Sequence, residues 1–264
     1  MLDSLVSGFS GIAKRPVLII PALVAVIVNF VITLLAFEPQ ADFFYSVFVL
    51  NGVVDAAIPE LPYYLLASYP WEIFAMLLSA FASTVLWILV LYVYAESSGK
   101  GIIEAFRETL SRTWEMIGVA AFAFIAVFLY FVILFALFVS TLALGVLSIV
   151  GFLASILWIL FGIYAGIRLV FTPAIMAVKR KKLKKALAES WKLQKKGTLE
   201  AGLFIVLAGA IAGTIGAFFS MAGEASGNEV VFLIMVLVGF ALANAYYSIV
   251  FIKYVSEQKF SFSH

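Results

Sequence analysis

The longest stretch without a charged residue decides the fold: residues 116–167 read MIGVAAFAFIAVFLYFVILFALFVSTLALGVLSIVGFLASILWILFGIYAGI. As one helix it would be about 78 Å long at 1.5 Å per residue, more than twice the roughly 30 Å of hydrocarbon in a bilayer. The stretch must therefore fold back on itself. Gly145 lies near its middle, shortly after the polar pair Ser140 and Thr141. This spacing predicts two membrane-spanning helices, over 116–139 and 147–170.

Four further charge-free stretches each have the length of one membrane-spanning helix, about 20 residues: 16–37, 73–95, 201–223 and 230–252. The composition agrees, because 65% of the chain is hydrophobic and only 12% is charged, against about 45–50% and about 25% in soluble domains. The first stretch exceeds the apolar core of a signal peptide, about 7–15 residues, and is not followed by an A-x-A cleavage site. We therefore predict an all-α polytopic integral membrane protein with six transmembrane helices in a single membrane domain, 1–264.

The positions of lysine and arginine predict the orientation. All 17 lie before the first span, between the second and third, between the fourth and fifth at 168–196, or after the sixth. Because such residues stay on the cytoplasmic side, we expect both termini in the cytoplasm and the protein in the plasma membrane. The segment 38–72 carries acids and aromatic residues but no cation. It is predicted to be an outer insertion that acts as an interfacial anchor, a subunit contact or a cap.

Three segments between the spans have apolar residues at helical spacing: 2–13, 102–117 and 183–193. This pattern is typical of amphipathic helices that lie in the membrane interface. A constant offset, the one that places Glu108 on Glu189, aligns the second segment with the third. We predict repeat units 1–95, 100–170 and 182–254, each a hairpin of two spans preceded by a cytoplasmic interfacial helix.

Cations are concentrated after the fourth span, where they predict binding of membrane lipids, most of all anionic ones, or of a protein partner. Each lysine or arginine near an anionic leaflet contributes about 1 kcal/mol; the alternative is that they only set the topology. Arg168 either extends to the headgroups or pairs with Glu200 or a lipid phosphate. Nucleic acid is not an expected partner, since no soluble domain organises these charges. The candidates are Arg168, Lys179, Arg180, Lys181, Lys182, Lys184, Lys185, Lys192, Lys195 and Lys196.

Three polar residues within spans, Asn29, Asn244 and Tyr246, are candidates for lining a cavity. They motivate an alternative function, a channel or facilitator for a small uncharged or lipidic solute. Interhelical hydrogen bonding is the simpler interpretation of both asparagines, at about 0.6 kcal/mol each.

Catalytic chemistry is not expected. The chain has no cysteine, which excludes thiol catalysis and thiolate metal sites. Its one histidine is His264, at the end of the chain. We therefore expect no catalytic residues, no metal and no cofactor, and the leading hypothesis is a non-enzymatic scaffold that interacts with lipid or with a partner, which includes a second copy of the chain.

One segment carries a family resemblance. Arg168, the triplet Pro173-Ala174-Ile175, the run 186–193 (ALAESWKL) and Gly197 resemble the repeated pattern of a poorly characterised family of bacterial and archaeal membrane proteins. That family includes the membrane-anchor domain of some glycerophosphodiester phosphodiesterases. The chain departs from the pattern at 178–179, Val-Lys, where the family has an acidic residue. The resemblance implies a membrane module and transfers no catalytic residue.

Overall fold

The computed structural model describes residues 2–45, 69–97, 100–143, 148–193 and 197–257, and within these ranges the regular structure is helical, without strands. A single 3-10 turn, Pro16–Leu18, precedes the second helix. The helices are α1 Leu2–Lys14, α2 Ile19–Tyr45, α3 Pro70–Glu96, α4 Ile102–Ser111, α5 Thr113–Ala143, α6 Ser148–Leu169, α7 Thr172–Lys179, α8 Leu183–Leu193, α9 Thr198–Ala225 and α10 Glu229–Glu257.

Six candidate spans are long and apolar enough to cross a membrane, which confirms the prediction of a multi-pass, all-helical chain. They are Pro16–Ala36, Pro70–Glu96, Thr113–Leu137, Ile149–Lys179, Thr198–Ala225 and Glu229–Glu257. The helices continue past the first charged residue at either end, since charges near helix ends reach the headgroup region at little cost. The predicted turn at Gly145 and most of the insertion 38–72 lie outside the described residues.

The fourth span differs from its sequence prediction because α7 follows α6 as a separate helix. Pro173 occupies the first turn of α7, where a residue without an N–H is tolerated, whereas in a continuous helix it would remove a hydrogen bond. Residues 172–177 are all buried. The predicted end of the span near residue 170 is therefore followed by eight more helical residues, Thr172–Lys179.

The chain divides into two compact units. Unit 1 comprises Met1–Val28, Val85–Val119 and Gly166–His264. Its core contains four stacked or tilted rings: Phe171 lies 5.1 Å from both Phe251 and Tyr254, and Phe204 lies 4.1 Å from Tyr254, between ring centroids. Aromatic pairs at these separations add about 0.5–1.5 kcal/mol beyond the area that they bury. These contacts join α7, α9 and α10.

Helices α9 and α10 make an extensive contact within unit 1. A Cβ atom built on Gly239 would lie 2.5 Å from the Cβ of Phe219, so the two helices approach closely only because residue 239 has no side chain. Asn228 begins α10, and its Oδ1 accepts hydrogen bonds from the backbone N–H groups of Val230 (2.9 Å) and Val231 (3.2 Å). Such an N-cap satisfies donors that have no partner inside the helix.

Helices α1, α4 and α8 lie where the three amphipathic segments are predicted, and all three belong to unit 1. Each one buries two small residues four positions apart, on one helical face. The pairs are Ser4 and Gly8, Ala105 and Thr109, and Ala186 and Ser190. At Gly8 a Cβ atom would lie 2.6 Å from both Tyr246 and Val250, so α1 rests directly on α10.

Unit 2 comprises Asn29–Thr84 and Ala120–Ala165. One of its contacts joins α5 to α6, where the rings of Tyr130 and Trp158 stack with centroids 5.7 Å apart. The indole N–H of Trp158 donates to the carbonyl of Tyr130 at 3.1 Å. A Cβ atom built on Gly162 would overlap the Tyr130 ring. The glycine therefore provides the space in which the tyrosine packs.

Candidate functional site

Charged side chains of unit 1 form a network around Glu96, the last residue of α3. Glu96 is only 6% exposed, and each of its oxygens accepts from a different arginine. Arg112 Nη1 lies 3.0 Å from Oε1 and Arg180 Nη2 lies 2.6 Å from Oε2. These hydrogen bonds from two guanidinium groups replace the water that burial removes from the carboxylate.

Arg112, between α4 and α5, connects this carboxylate to α7. Its Nη2 donates to the carbonyl of Met176 at 2.9 Å, and Nε and Nη2 both donate to Glu115 Oε2, at 2.9 and 2.7 Å. The guanidinium also lies 4.7 Å from the centre of the Tyr92 ring. A helix leaves its last carbonyl groups without partners, and here an arginine supplies a donor to α7.

Arg180 ends α7 in the left-handed conformation, with φ of 50°. This conformation is unfavourable for residues with a Cβ atom, and it accompanies contacts from Arg180 to both Glu96 and Glu108. Glu108 also accepts from Lys100. Hydrogen bonds from Lys100 and Arg180 hold the pKa of Glu108 below its usual value. The same contacts with Glu96 and Glu108 raise the pKa of Arg180.

Glu189 of α8 has a corresponding pair of cationic partners. Lys179 Nζ donates to its Oε1 at 2.7 Å, and Lys181 donates to its Oε2. Burial by itself would raise the pKa of Glu189, but the two lysine hydrogen bonds outweigh burial and lower it. At the offset that places Glu108 on Glu189, Lys100 falls on Lys181, so the two ion pairs correspond.

Arg168, near the end of α6, binds protein groups and is 6% exposed. Its Nη1 donates to the carbonyl of Trp191 at 2.6 Å and its Nη2 to the hydroxyl of Thr198 at 3.2 Å. The guanidinium lies 5.2 Å from the centre of the Trp191 ring, and the carbonyl of Arg168 accepts from Ser190. Arg168 thus joins α6 to α8 and to the start of α9, whereas Glu200 is exposed.

The predicted basic segment divides into two groups. Lys179, Arg180 and Lys181 are neutralised by carboxylates of unit 1. The remaining described lysines of the segment are exposed, and no ion pair joins them to a described acid; Lys195 and Lys196 lie outside the described residues. The exposed lysines are Lys182, Lys184, Lys185 and Lys192.

The predicted cavity residues have local partners. In unit 2, Asn29 Oδ1 accepts from Ser83 at 2.5 Å. In unit 1, Asn244 Oδ1 accepts from Ser248 at 3.5 Å, and the hydroxyl of the fully buried Tyr246 donates to the carbonyl of Leu5 at 3.2 Å. The contacts of Asn29 and Tyr246 join two helices, whereas Asn244 bonds within α10 and its expected interhelical partner is not observed among the described residues. A role in lining a cavity stays a prediction.

Sequence reasoning misses the centre of the network. Glu96 directly follows a charge-free span and is not among the site residues predicted from the sequence. Arg112 enters that prediction only as one of the cations that set the topology. One signal is present: an acid directly after a span, on the side that carries the cations, requires a partner there. Among the described residues, no group of three or more histidine, cysteine, aspartate or glutamate side chains could hold a metal ion.

Comparison of the chain with models of known protein families, with curated proteins and with solved structures finds no match. The family resemblance therefore stays a prediction.

Proposed function

We propose that this protein is a non-enzymatic, multi-pass scaffold of the plasma membrane that gathers anionic lipid through exposed lysines on α8 and directly before it. In this proposal the six spans form three hairpins, α1, α4 and α8 lie in the cytoplasmic interface, and both termini are cytoplasmic. The observation that carries it is the division of the basic segment. Three cations are used inside unit 1, and four lysines remain exposed without a described acid as a partner.

The other two short helices support an interfacial position. Their small residues face the protein, whereas their large apolar residues are exposed. On α1 the exposed set is Leu2, Val6 and Phe9, and on α4 it is Ile103, Phe106 and Leu110. Each set follows helical spacing, so it forms a stripe. Apolar stripes that the protein does not cover favour insertion into the boundary between headgroups and acyl chains.

The exposed lysines favour anionic lipid over neutral lipid. At about 1 kcal/mol for each lysine near an anionic surface, even two exposed lysines would enrich such lipids by roughly thirtyfold if their contributions added. Salt would weaken the attraction, because these side chains are outside the protein core.

The test uses the full-length chain, taken in detergent from membranes made of one part phosphatidylglycerol to two parts phosphatidylcholine. The measured quantity is the fraction of phosphatidylglycerol in the lipid that stays with the purified protein. We expect this fraction to exceed that of the starting membrane for the natural sequence. The double variant Lys184→Gln/Lys185→Gln should bring it back toward the membrane value.

The matched control removes two exposed cations from α1 and α4, in Lys14→Gln/Arg107→Gln. It changes the net charge equally and should leave most of the enrichment. Equal loss in both double variants would mean that total charge, and not the α8 lysines, attracts the lipid. A natural protein that retains the two lipids in the proportions of the membrane would refute the proposal.

A further inference from the structure

A cleft of about 320 Å³ lies within unit 1, between the start of α5, the end of α7 and the start of α8. Its walls differ in chemistry. Val119 and Met176 are buried and apolar, whereas Trp114 is 84% exposed and Lys182 is exposed as well. The complete lining is Trp114, Glu115, Gly118, Val119, Met176, Lys182 and Leu183.

We propose that this cleft binds one anionic phospholipid, with its phosphate on Lys182 and the start of one acyl chain against Gly118, Val119 and Trp114. The inference rests on the proposed function, because it requires the cleft to lie where the spans meet the headgroups. Thr113 begins one candidate span and Lys179 ends another, so the residues that line the cleft come from two span ends. Tryptophan is enriched at that depth.

The charges of the cleft favour an anion. Glu115 is its one acid, and that carboxylate already accepts two hydrogen bonds from Arg112 through Oε2. Lys182, in contrast, has no described acid as a partner. Lys182 also directly precedes α8, whose first backbone N–H groups give that end of the helix a partial positive charge. Lys182 is therefore the cation of the cleft that is available to an anion, and it lies beside an apolar floor formed by Val119 and Met176.

Gly118 borders open space in the cleft. A Cβ atom built there meets nothing within 4 Å, although Gly118 lies inside α5, where glycine is about 1 kcal/mol less favourable than alanine. A larger side chain at 118 would therefore project into the cleft without disturbing the packing of the helix. Occupation of the cleft and folding of the chain can be changed separately at this residue.

The experiment is native mass spectrometry of the full-length protein, delipidated in detergent and titrated with phosphatidylglycerol. We expect one lipid to bind before all others. Lys182→Gln should weaken that first binding step by roughly fivefold, the equivalent of about 1 kcal/mol, and Gly118→Leu should abolish it. Two controls should bind like the natural sequence: Lys184→Gln, which removes an exposed lysine outside the cleft, and Gly209→Leu, which fills open space on α9.

Two competitors identify the occupant. Diacylglycerol, which has the chains without the phosphate, should not bind first, and excess glycerol phosphate, which has the phosphate without the chains, should not displace the lipid. Unchanged first binding in Gly118→Leu would overturn the cleft site, and so would equal weakening by Lys182→Gln and Lys184→Gln. Either result would leave the enrichment measured for the double variants intact, so failure of the site is distinguishable from failure of the proposed function.

Discussion

Helices α4 and α8 are attached to unit 1 in the same way but expose different faces. Both bury a small pair four residues apart, and both carry a glutamate, Glu108 or Glu189, that accepts from two cations. Outward, α4 exposes Ile103, Phe106 and Leu110, whereas α8 exposes lysines. The buried side therefore repeats because it must fit the protein. The outer side differs because it faces the membrane and solvent. The residues that differ between the two outer faces are therefore the ones expected to carry the function.

The largest loss of stability is expected from a variant that breaks the attachment of α4. Arg112→Gln leaves Glu96 buried with one partner fewer and the carbonyl of Met176 without its donor, which should cost about 3–5 kcal/mol. Arg168→Gln, a change beside α8, removes the donors to the carbonyl of Trp191 and the hydroxyl of Thr198 and should cost about 1–3 kcal/mol. Circular dichroism of thermal unfolding in detergent measures the loss of stability in both variants. A larger loss at Arg168 would contradict the central position of Glu96.

Overpacking the buried faces should affect both helices equally. Ala105→Leu and Ala186→Leu each place a large side chain where alanine is fully covered, at a cost of about 1–3 kcal/mol. The outward substitutions Ile103→Ala and Lys184→Ala are the controls, and each should change stability by less than about 0.5 kcal/mol. If one helix tolerated leucine at its buried position, the two attachments would not be equivalent.

Acid should weaken both attachments. A carboxyl whose pKa is lowered by folding stabilises the folded state fully above its unfolded pKa, about 4.3, and the stabilisation is lost as the pH falls through the lower folded value. Both Glu108 and Glu189 have lowered pKa values. Melting temperatures measured from pH 6 to pH 3 should therefore fall. Glu189→Gln should start lower at pH 6 and fall less steeply; an unchanged slope in that variant would show that Glu189 does not carry the acid sensitivity.

The smallest expected effect leaves stability unchanged and concerns depth in the membrane. Because the chain has no cysteine, a single cysteine can be introduced at Ile103 or at Lys184 and labelled with bimane. Lipids that carry a nitroxide high on the acyl chain should quench the label at 103 more strongly than the label at 184. Equal quenching at the two positions would mean that α4 and α8 lie at the same depth.

The six spans could be predicted from the sequence because the cost of charge in hydrocarbon leaves long gaps between charged residues. The match of Glu108 with Glu189 is also visible in the sequence. The contacts of Arg180 with Glu96 and Glu108 are not, because Arg180 reaches these carboxylates through a left-handed turn after α7. Helix α7 was also not predictable from the sequence. Pro173 predicts an end, and pattern alone does not distinguish the end of a helix from the start of a new one.

The contact of α1 with α10 has a consequence for the timing of synthesis. Tyr246 donates to Leu5 across 241 positions of the chain, and Ser4 donates to Glu257 at 2.6 Å. At about 5–20 residues per second, the ribosome needs roughly 12–50 s after making α1 before α10 exists. During that interval the part of α1 around Gly8, which contacts Tyr246 and Val250, has no partner helix. The packing of α1 must therefore follow the synthesis of α10, and a chain that stops before α10 cannot complete unit 1.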